Sequence, residues 1–259
     1  MFTQLNGLTL HYQVEGVETG IPLVFINSLG SSLCIWDDVC DQLRPHFRIV
    51  RYDKRGHGLS DSPPGPYTIR DHAADLLGLL DHLQVEKAIL IGVSVGGMIA
   101  LEFAATRPQR VGKLVLCDTG AKIGSEQSWN ERIAAIQAGG LTSIAAAVLA
   151  RWFTPAFIQN QPAQHLGYTN MFVRMPAAGY IATCAALRDA DLHSIVAAIQ
   201  TPSLVLCGDQ DMSTPPALGQ KLAALLPNAH FRMIPNAAHL PSIEQPQYLA
   251  ETIAQFLTG

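Results

Sequence analysis

Six apolar segments alternate with segments of helical periodicity along this chain, and this alternation constrains the fold more than any other feature. The apolar segments lie at 21–27, 48–52, 88–93, 112–117, 203–207 and 229–234. Continuous apolar runs are typical of strands that are covered on both faces. Four intervening segments place apolar side chains on one helical stripe: 70–83, 94–106, 216–226 and 246–257. The pattern predicts an α/β fold with a mostly parallel central sheet flanked by helices.

Two regions depart from the alternation. Residues 8–14 alternate apolar and polar side chains, which predicts an exposed antiparallel edge strand. Residues 120–200 are rich in alanine, helical in character and without a convincing strand. We therefore predict an α/β core made of residues 1–119 and 201–259, with a helical cap, residues 120–200, inserted after the 112–117 strand.

Composition excludes several classes of protein. Hydrophobic residues make up 48% of the chain and charged residues 15%, which excludes a disordered chain. The net charge of −4 argues against a nucleic-acid-binding surface, and no apolar run is long enough for a membrane span. Five scattered cysteines without a CxxC pair indicate reduced thiols, neither disulfides nor a zinc site. With no signal-peptide pattern at the N-terminus, we expect a cytoplasmic protein. Because no cluster of His, Asp, Glu or Cys has ligand spacing, we expect no metal, and we expect no cofactor.

The clearest chemical motif is Gly92-Val93-Ser94-Val95-Gly96, which follows an apolar strand and precedes a helical pattern. This is the context of a G-x-S-x-G nucleophile elbow, in which the serine lies on a tight strand-to-helix turn. The glycines two residues before and after it leave room for the chains to pass. The motif predicts Ser94 as a catalytic nucleophile.

A serine nucleophile needs a general base. His239 follows the last predicted strand, where ligand chemistry gathers in doubly wound folds. The other eight histidines fit turn, exposed helix, edge or cap positions, and His57 fits a turn. The orienting acid should follow a strand between the serine and the histidine in chain order. Asp211 is the preferred candidate, with Asp209 and Asp118 as alternatives.

An oxyanion hole requires two backbone N–H groups that face the developing alkoxide. One should be the amide of Val95, which directly follows the nucleophile. The other should come from the loop after the 21–27 strand, with Leu29 as the donor and Gly30 permitting a sharp turn.

With these motifs, the chain resembles the α/β-hydrolase superfamily over nearly its whole length. Within the superfamily it is most similar to the 3-oxoadipate enol-lactonases of the β-ketoadipate branch of aromatic catabolism. The similarity rests on the 26–30 loop, the elbow with Gly97-Met98, and the cap entry 118–124 followed by Trp129 and Arg132. The resemblance also implies that Asp53–Ser60 form a structural turn without chemistry.

The resemblance implies a small anionic lactone as substrate and no obligatory protein partner. A carboxylate that enters an apolar site needs a cationic partner. Trp129 and Arg132, spaced i, i+3, should share a helical face. Arg132 would then bind the carboxylate, and Trp129 would supply an apolar wall and an indole N–H. Alternatively, Arg132 is a solvated residue paired with Glu126 or Glu131.

Other functions of the same fold stay open at this stage. A broad carboxylesterase and a cofactor-free perhydrolase use the same triad, and a carbon–carbon bond hydrolase is a third possibility. A haloalkane dehalogenase is disfavoured, because Ser94 stands where that enzyme has an aspartate nucleophile. From another class, a small-molecule receptor can keep the triad while turning over slowly.

Overall fold

The protein is described here by a computed structural model, which covers residues 1–258. In these residues eight strands form one sheet in the order β1-β2-β4-β3-β5-β6-β7-β8. The strands are β1 (Phe2–Leu5), β2 (Leu8–Gly16), β3 (Leu23–Ile26), β4 (Arg48–Tyr52), β5 (Ala88–Val93), β6 (Val111–Cys117), β7 (Ser203–Gly208) and β8 (Ala229–Ile234). The prediction of an α/β fold with a mostly parallel sheet is confirmed.

The antiparallel part of the sheet differs from the prediction at its edge. Strand β2 is antiparallel, as predicted, and pairs with β4, but it is not the edge strand, because β1 pairs with its other side. Asn6 and Gly7, both with positive φ, make a two-residue hairpin turn between β1 and β2. An Asn-Gly pair is a strong hairpin signal, so the sequence contained the information for this strand.

Twelve α-helices accompany the sheet in residues 1–258. They are α1 (Asp37–Leu43), α2 (Ile69–His82), α3 (Val95–Thr106), α4 (Glu126–Gly139), α5 (Thr142–Trp152), α6 (Pro155–Asn160), α7 (Pro162–Val173), α8 (Ala177–Asp189), α9 (His193–Val196), α10 (Pro216–Leu225), α11 (Pro241–Glu244) and α12 (Pro246–Thr258). Helices α2, α3, α10 and α12 begin and end within one residue of the predicted segments. None of the helices in the described residues is both long and apolar enough to cross a bilayer.

The region between β6 and β7 holds six of these helices, α4 to α9. They occupy the span that the sequence analysis assigns to the cap, and the division into a core and a separate cap stays a prediction. The core strands differ in burial according to their place in the sheet. Strand β7 is fully buried, whereas β8 at the far edge has exposed residues at several positions.

Parallel strands end at the same edge of a sheet, and this positions the candidate site. The carboxyl ends of β3, β5, β7 and β8 lead into the loops that carry Leu29, Ser94, Asp211 and His239, respectively. In open α/β sheets, ligands bind in the crevice beyond these ends. Four loops that are distant in the sequence therefore converge at one place.

Candidate active site

Ser94 lies on a strained turn between β5 and α3. Its backbone has φ 59° and ψ −120°, a conformation that a non-glycine residue rarely adopts. A Cβ at Gly92 would collide with the Gly96 carbonyl, and a Cβ at Gly96 would collide with the Ile26 carbonyl. The turn therefore needs both glycines, as the elbow motif predicts, and it is held by a bond from the Ser94 N–H to the Cys117 carbonyl at 3.0 Å.

His239 and Asp211 form a buried pair beside this turn. The Nδ1 atom of His239 lies 2.8 Å from Oδ2 of Asp211, and both side chains are almost fully buried. A carboxylate can only accept, so Nδ1–H donates and Nε2 is left as the basic nitrogen. Both Ser94 and His239 line one cavity. The Asp211–His239 bond is the acid–base contact that a serine–histidine–aspartate triad requires, and Ser94 as its nucleophile stays a prediction.

Thr214 and the backbone beside it keep Asp211 ionised. The carboxylate accepts from the Thr214 hydroxyl at 2.6 Å and from the N–H groups of Ser213 and Thr214. Burial raises the pKa of Asp211, but the His239 imidazole and these hydrogen bonds outweigh it and hold the pKa well below its usual range. Asp211 is therefore a carboxylate over the whole pH range in which a histidine base works. Thr214 was not identified from the sequence.

The two alternative acids occupy other positions. Asp209 is exposed, and it accepts from the Ala237 N–H at 3.2 Å, as expected of a loop-capping residue. Asp118 is fully buried, and its Oδ1 accepts from the Gly208 N–H at 2.8 Å. Burial, together with the nearby Asp211 charge, raises the pKa of Asp118 well above its usual value. The geometry therefore favours Asp211 as the orienting acid.

Asp118, Asp211 and His239 are also the one group of possible metal ligands found in residues 1–258. Asp211 and His239 already bond to each other, and a raised pKa favours the neutral acid of Asp118, which is a poor ligand. The donor set does not fit a metal centre, and our prediction of a metal-free site stays a prediction.

The backbone amides of Leu29 and Val95, the predicted oxyanion donors, are not taken up by backbone acceptors in residues 1–258. Leu29 lines the same cavity as Ser94, and its N–H donates to no acceptor in residues 1–258. Val95 is the first residue of α3, so its N–H has no partner within the helix. Gly30 turns this loop at φ 78°, and a Cβ there would meet Phe172 and Tyr180 at 2.9 Å.

The cavity lies between the ends of the core strands and helices of the cap. Its volume is about 110 Å³. The core contributes Ser28, Leu29, Ser94, Ser213, Thr214 and His239, and residues 120–200 contribute Ile123, Gly124, Ser128, Trp129, Arg132, Val148, Arg151, Trp152 and Tyr180. A cavity of this size suits a small ligand better than a long acyl chain.

Trp129 and Arg132 share a face of α4, as predicted, and both line the cavity. The Arg132 guanidinium lies 4.9 Å from the centre of the Trp129 ring, a cation–π contact. Arg132 forms no ion pair with any described residue, Glu126 and Glu131 included. One expectation is wrong: the Trp129 indole N–H donates to the Ile123 carbonyl at 2.7 Å, so it is not available to a ligand.

Two further residues bear on the site. Arg151, the cap arginine that is an alternative carboxylate partner should Arg132 be structural, lines the cavity from α5. Glu244 accepts from the Ala238 N–H at 2.7 Å and from the Thr154 hydroxyl at 2.7 Å, so it ties the His239 loop to the cap.

One histidine differs from its predicted position, and a second lies where it was predicted but is buried. His72 was expected on an exposed helix face, but it is 1% exposed and neither ring nitrogen has a hydrogen-bond partner. Its ring packs edge-on against Tyr67, with the centroids 5.7 Å apart. His57 does lie in a turn, yet it is fully buried and bonds to the backbone of the 27–30 loop.

Comparison with known proteins places this geometry in a family. The model of the alpha/beta hydrolase fold matches residues 21–246. The chain is 35% identical to 3-oxoadipate enol-lactonase 2 of Acinetobacter baylyi over 240 residues, 93% of this chain and 90% of the relative. It is 36% identical to the crystal structure of an enol-lactonase from Burkholderia xenovorans, with a TM-score of 0.97 and 100% of both chains covered.

An esterase from Thermogutta terrifontis, solved with malate bound, is 29% identical, with a TM-score of 0.92 over 99% of this chain and 96% of that one. The fold, the family model and the relatives all indicate an α/β hydrolase. The chain belongs to the α/β-hydrolase family and is a hydrolase.

Proposed function

We propose that this hydrolase opens 3-oxoadipate enol-lactone to 3-oxoadipate through an acyl-enzyme on Ser94. One observation carries the proposal: a nucleophile, its base and an arginine without an ion pair line the same small cavity. The named relatives, two of them enol-lactonases at 35% and 36% identity over most of the chain, support the choice of lactone. The β-ketoadipate pathway is the context that the resemblance implies.

Acylation begins when His239 Nε2 takes the hydroxyl proton of Ser94 as the oxygen attacks the lactone carbonyl. The tetrahedral oxyanion then accepts from the Leu29 and Val95 N–H groups. Collapse breaks the ring C–O bond, and the imidazolium returns the proton to the leaving oxygen. That oxygen leaves as an enol, which tautomerises to the ketone and so makes the ring opening favourable.

Deacylation repeats these steps with water as the nucleophile. His239 accepts a proton from the water, the second oxyanion uses the same two amides, and Ser94 leaves with the proton. Asp211 fixes the imidazole tautomer and stabilises the imidazolium in both halves of the reaction. Asp211 stays a carboxylate, because the His239 imidazole and the hydrogen bonds from Thr214 hold its pKa well below its usual range despite its burial.

Substrate selection is assigned to Arg132. A guanidinium that lines the cavity and forms no ion pair within residues 1–258 is available for a charge-assisted bond to the acetate arm of the lactone. Its stacking on Trp129 restricts its rotamers, so less conformational entropy is lost on binding. Arg151 adds a second positive charge to the same cavity wall.

A broad carboxylesterase is the second candidate, because the similar structures include an esterase at 29% identity. The two arginines in the cavity favour an anionic substrate over a neutral ester. Steady-state hydrolysis of 3-oxoadipate enol-lactone and of p-nitrophenyl acetate by the same preparation separates the candidates. The lactonase proposal expects a much higher kcat/KM on the lactone, and comparable values on both substrates would favour the esterase.

A further inference from the structure

Lys54 is an unusual residue for a turn to which the resemblance assigns no chemistry. Its side chain is fully buried behind the 27–30 loop. It forms no ion pair within residues 1–258, because the neighbouring Asp53 carboxylate accepts from the Leu33 and Leu59 N–H groups and from His11. Burial lowers the pKa of Lys54 well below its usual value. Burying an amine without a carboxylate partner costs stability, so its one contact has to be identified.

That contact is a hydrogen bond from Lys54 Nζ to the Ser28 carbonyl at 2.6 Å. The same carbonyl accepts from the Ser31 hydroxyl at 2.9 Å. The Ser28 carbonyl and the Leu29 N–H belong to one trans peptide, in which C=O and N–H point in opposite directions. The amine therefore binds one end of the peptide whose other end is the proposed oxyanion donor.

The neighbouring amide shows why Leu29 and not Gly30 fills this role. The Gly30 N–H donates to Nε2 of His57 at 3.0 Å, and His57 Nδ1 lies 3.1 Å from the Arg55 carbonyl. Burial lowers the pKa of His57 well below its usual value, so the ring stays neutral and can accept from Gly30. In this loop the Gly30 N–H is occupied and the Leu29 N–H is free.

We propose that Lys54 is a positioning residue for the oxyanion hole: its amine fixes and polarises the Ser28–Leu29 peptide, so that the Leu29 N–H is held on the oxyanion and donates more strongly. Hydrogen bonds in a chain reinforce one another in a buried site. This inference rests on the proposed function, because it takes the Leu29 amide as one of the two oxyanion donors. It assigns a role in the reaction to the 53–60 turn.

The test is Lys54→Met, which keeps the length and apolar stem of the side chain and removes the donor. Loss of a whole oxyanion donor costs about 100- to 1000-fold in kcat, so weakening one is expected to cost about 10-fold or more. KM for p-nitrophenyl acetate should change by less than about 3-fold, because the ground-state carbonyl gains little from the hole. Phenylboronic acid, whose tetrahedral adduct on Ser94 mimics the oxyanion, should lose affinity by the same factor as kcat/KM.

Ser31→Ala is the matched control, since it removes the other side-chain donor to the same carbonyl while leaving Lys54 in place. Its loss in kcat should be smaller than that of Lys54→Met. Removing a buried amine should leave the melting temperature unchanged or raise it, whereas a residue needed only for packing would lower it. If Lys54→Met does not fold, Lys54→Gln replaces it, and the same split between kcat and KM is expected from its shorter, neutral amide.

If a folded Lys54→Met or Lys54→Gln variant kept the wild-type kcat and boronate affinity, the inference would be overturned, while the proposed function would stand. Parallel losses in kcat and melting temperature would also overturn it. Ser94→Ala, measured alongside, distinguishes failure of the inference about Lys54 from failure of the proposed function. If that variant kept wild-type activity, the proposed function and this inference would both fail.

Discussion

The core and the cap contribute different things to one cavity. The core supplies every group proposed to react or to hold the reacting oxygen, namely Ser94, His239, Asp211 and the Leu29 and Val95 amides. The cap, residues 120–200, supplies Trp129, Arg132 and Arg151 and is the more basic part, with five Lys and Arg against four Asp and Glu, a charge of 5 − 4 = +1. The remainder of the chain carries −4 − 1 = −5. Chemistry and recognition are therefore assigned to separate stretches of sequence.

The two regions also hold their functional residues by different means. In the core, backbone geometry fixes them: Ser94 is set by a turn that only flanking glycines permit. In the cap, side-chain packing fixes them, as in the stack of Arg132 on Trp129. Glu244 joins the regions, since it bonds both to the His239 loop and to Thr154 of the cap. We expect core substitutions to reduce activity on all substrates and cap substitutions to change selectivity.

The largest effect should come from the nucleophile and the base. Ser94→Ala and His239→Ala should each lower kcat/KM by at least about 1000-fold, on charged and neutral substrates alike, because both act in the bond-making steps. Circular dichroism and melting temperature should stay close to wild type. Either variant retaining kcat/KM within about tenfold of wild type would exclude the serine–histidine mechanism.

The next effect tests the acid. Asp211→Asn should lower kcat by about 10⁴-fold, because the amide favours the wrong imidazole tautomer. Asp209→Asn, in the same loop but exposed, is the matched control and should stay within about 3-fold of wild type. A reversed order of the two losses would show that Asp209 orients the histidine.

In the cap, Arg132→Ala should affect one class of substrate. A charge-assisted hydrogen bond contributes about 1.5–3 kcal/mol, so kcat/KM on the anionic lactone should fall about 10- to 150-fold. Arg132→Lys should recover part of the loss, because lysine keeps the charge but cannot form the bidentate hydrogen bonds of a guanidinium. Arg174→Ala removes an exposed cap arginine outside the cavity and should have little effect. Equal losses on charged and neutral substrates would make Arg132 structural.

The smallest effect concerns stability in the core. The pKa of Asp118 is raised in the folded protein, so the folded state binds more protons than the unfolded state, and stability falls as pH rises above the unfolded value of about 3.9. Asp118→Asn should therefore raise the melting temperature at pH 7. The gain should shrink toward pH 4, where about half of the unfolded carboxyl is also protonated. A melting temperature lowered equally at both pH values would mean that the carboxyl group itself is needed.

The sequence predicted the core better than it predicted the details of the cap. Strand β5 and the elbow could be predicted because an apolar run and two glycines admit few other structures. Strand β1 was missed, since four residues that alternate between exposed and half-buried carry little periodicity. The Asn6-Gly7 pair that follows it is a hairpin signal that could have revealed it. The hydrogen bond of the Trp129 indole to Ile123 could not be predicted, because it depends on how a loop folds back onto α4.

Residues that act from behind the site were the least predictable. Thr214, Lys54 and His57 matter through contacts with groups 25 to 27 residues away in the chain. Neither periodicity nor spacing reports such contacts. Lysine is a residue type that is almost always exposed, so only the tertiary structure shows that Lys54 lies in the interior.

The central claim is that Arg132 of the cap selects the carboxylate while the core opens the ring. It is tested most directly by kcat/KM for the enol-lactone and for the methyl ester of its acetate arm, each with wild type and Arg132→Ala. The two substrates share the scissile lactone bond and differ in the charge of the arm and in one methyl group, so ring opening is followed separately from cleavage of the methyl ester. We predict that wild type prefers the anion by about tenfold or more and that the preference largely disappears in the variant. An unchanged preference in Arg132→Ala would contradict the account.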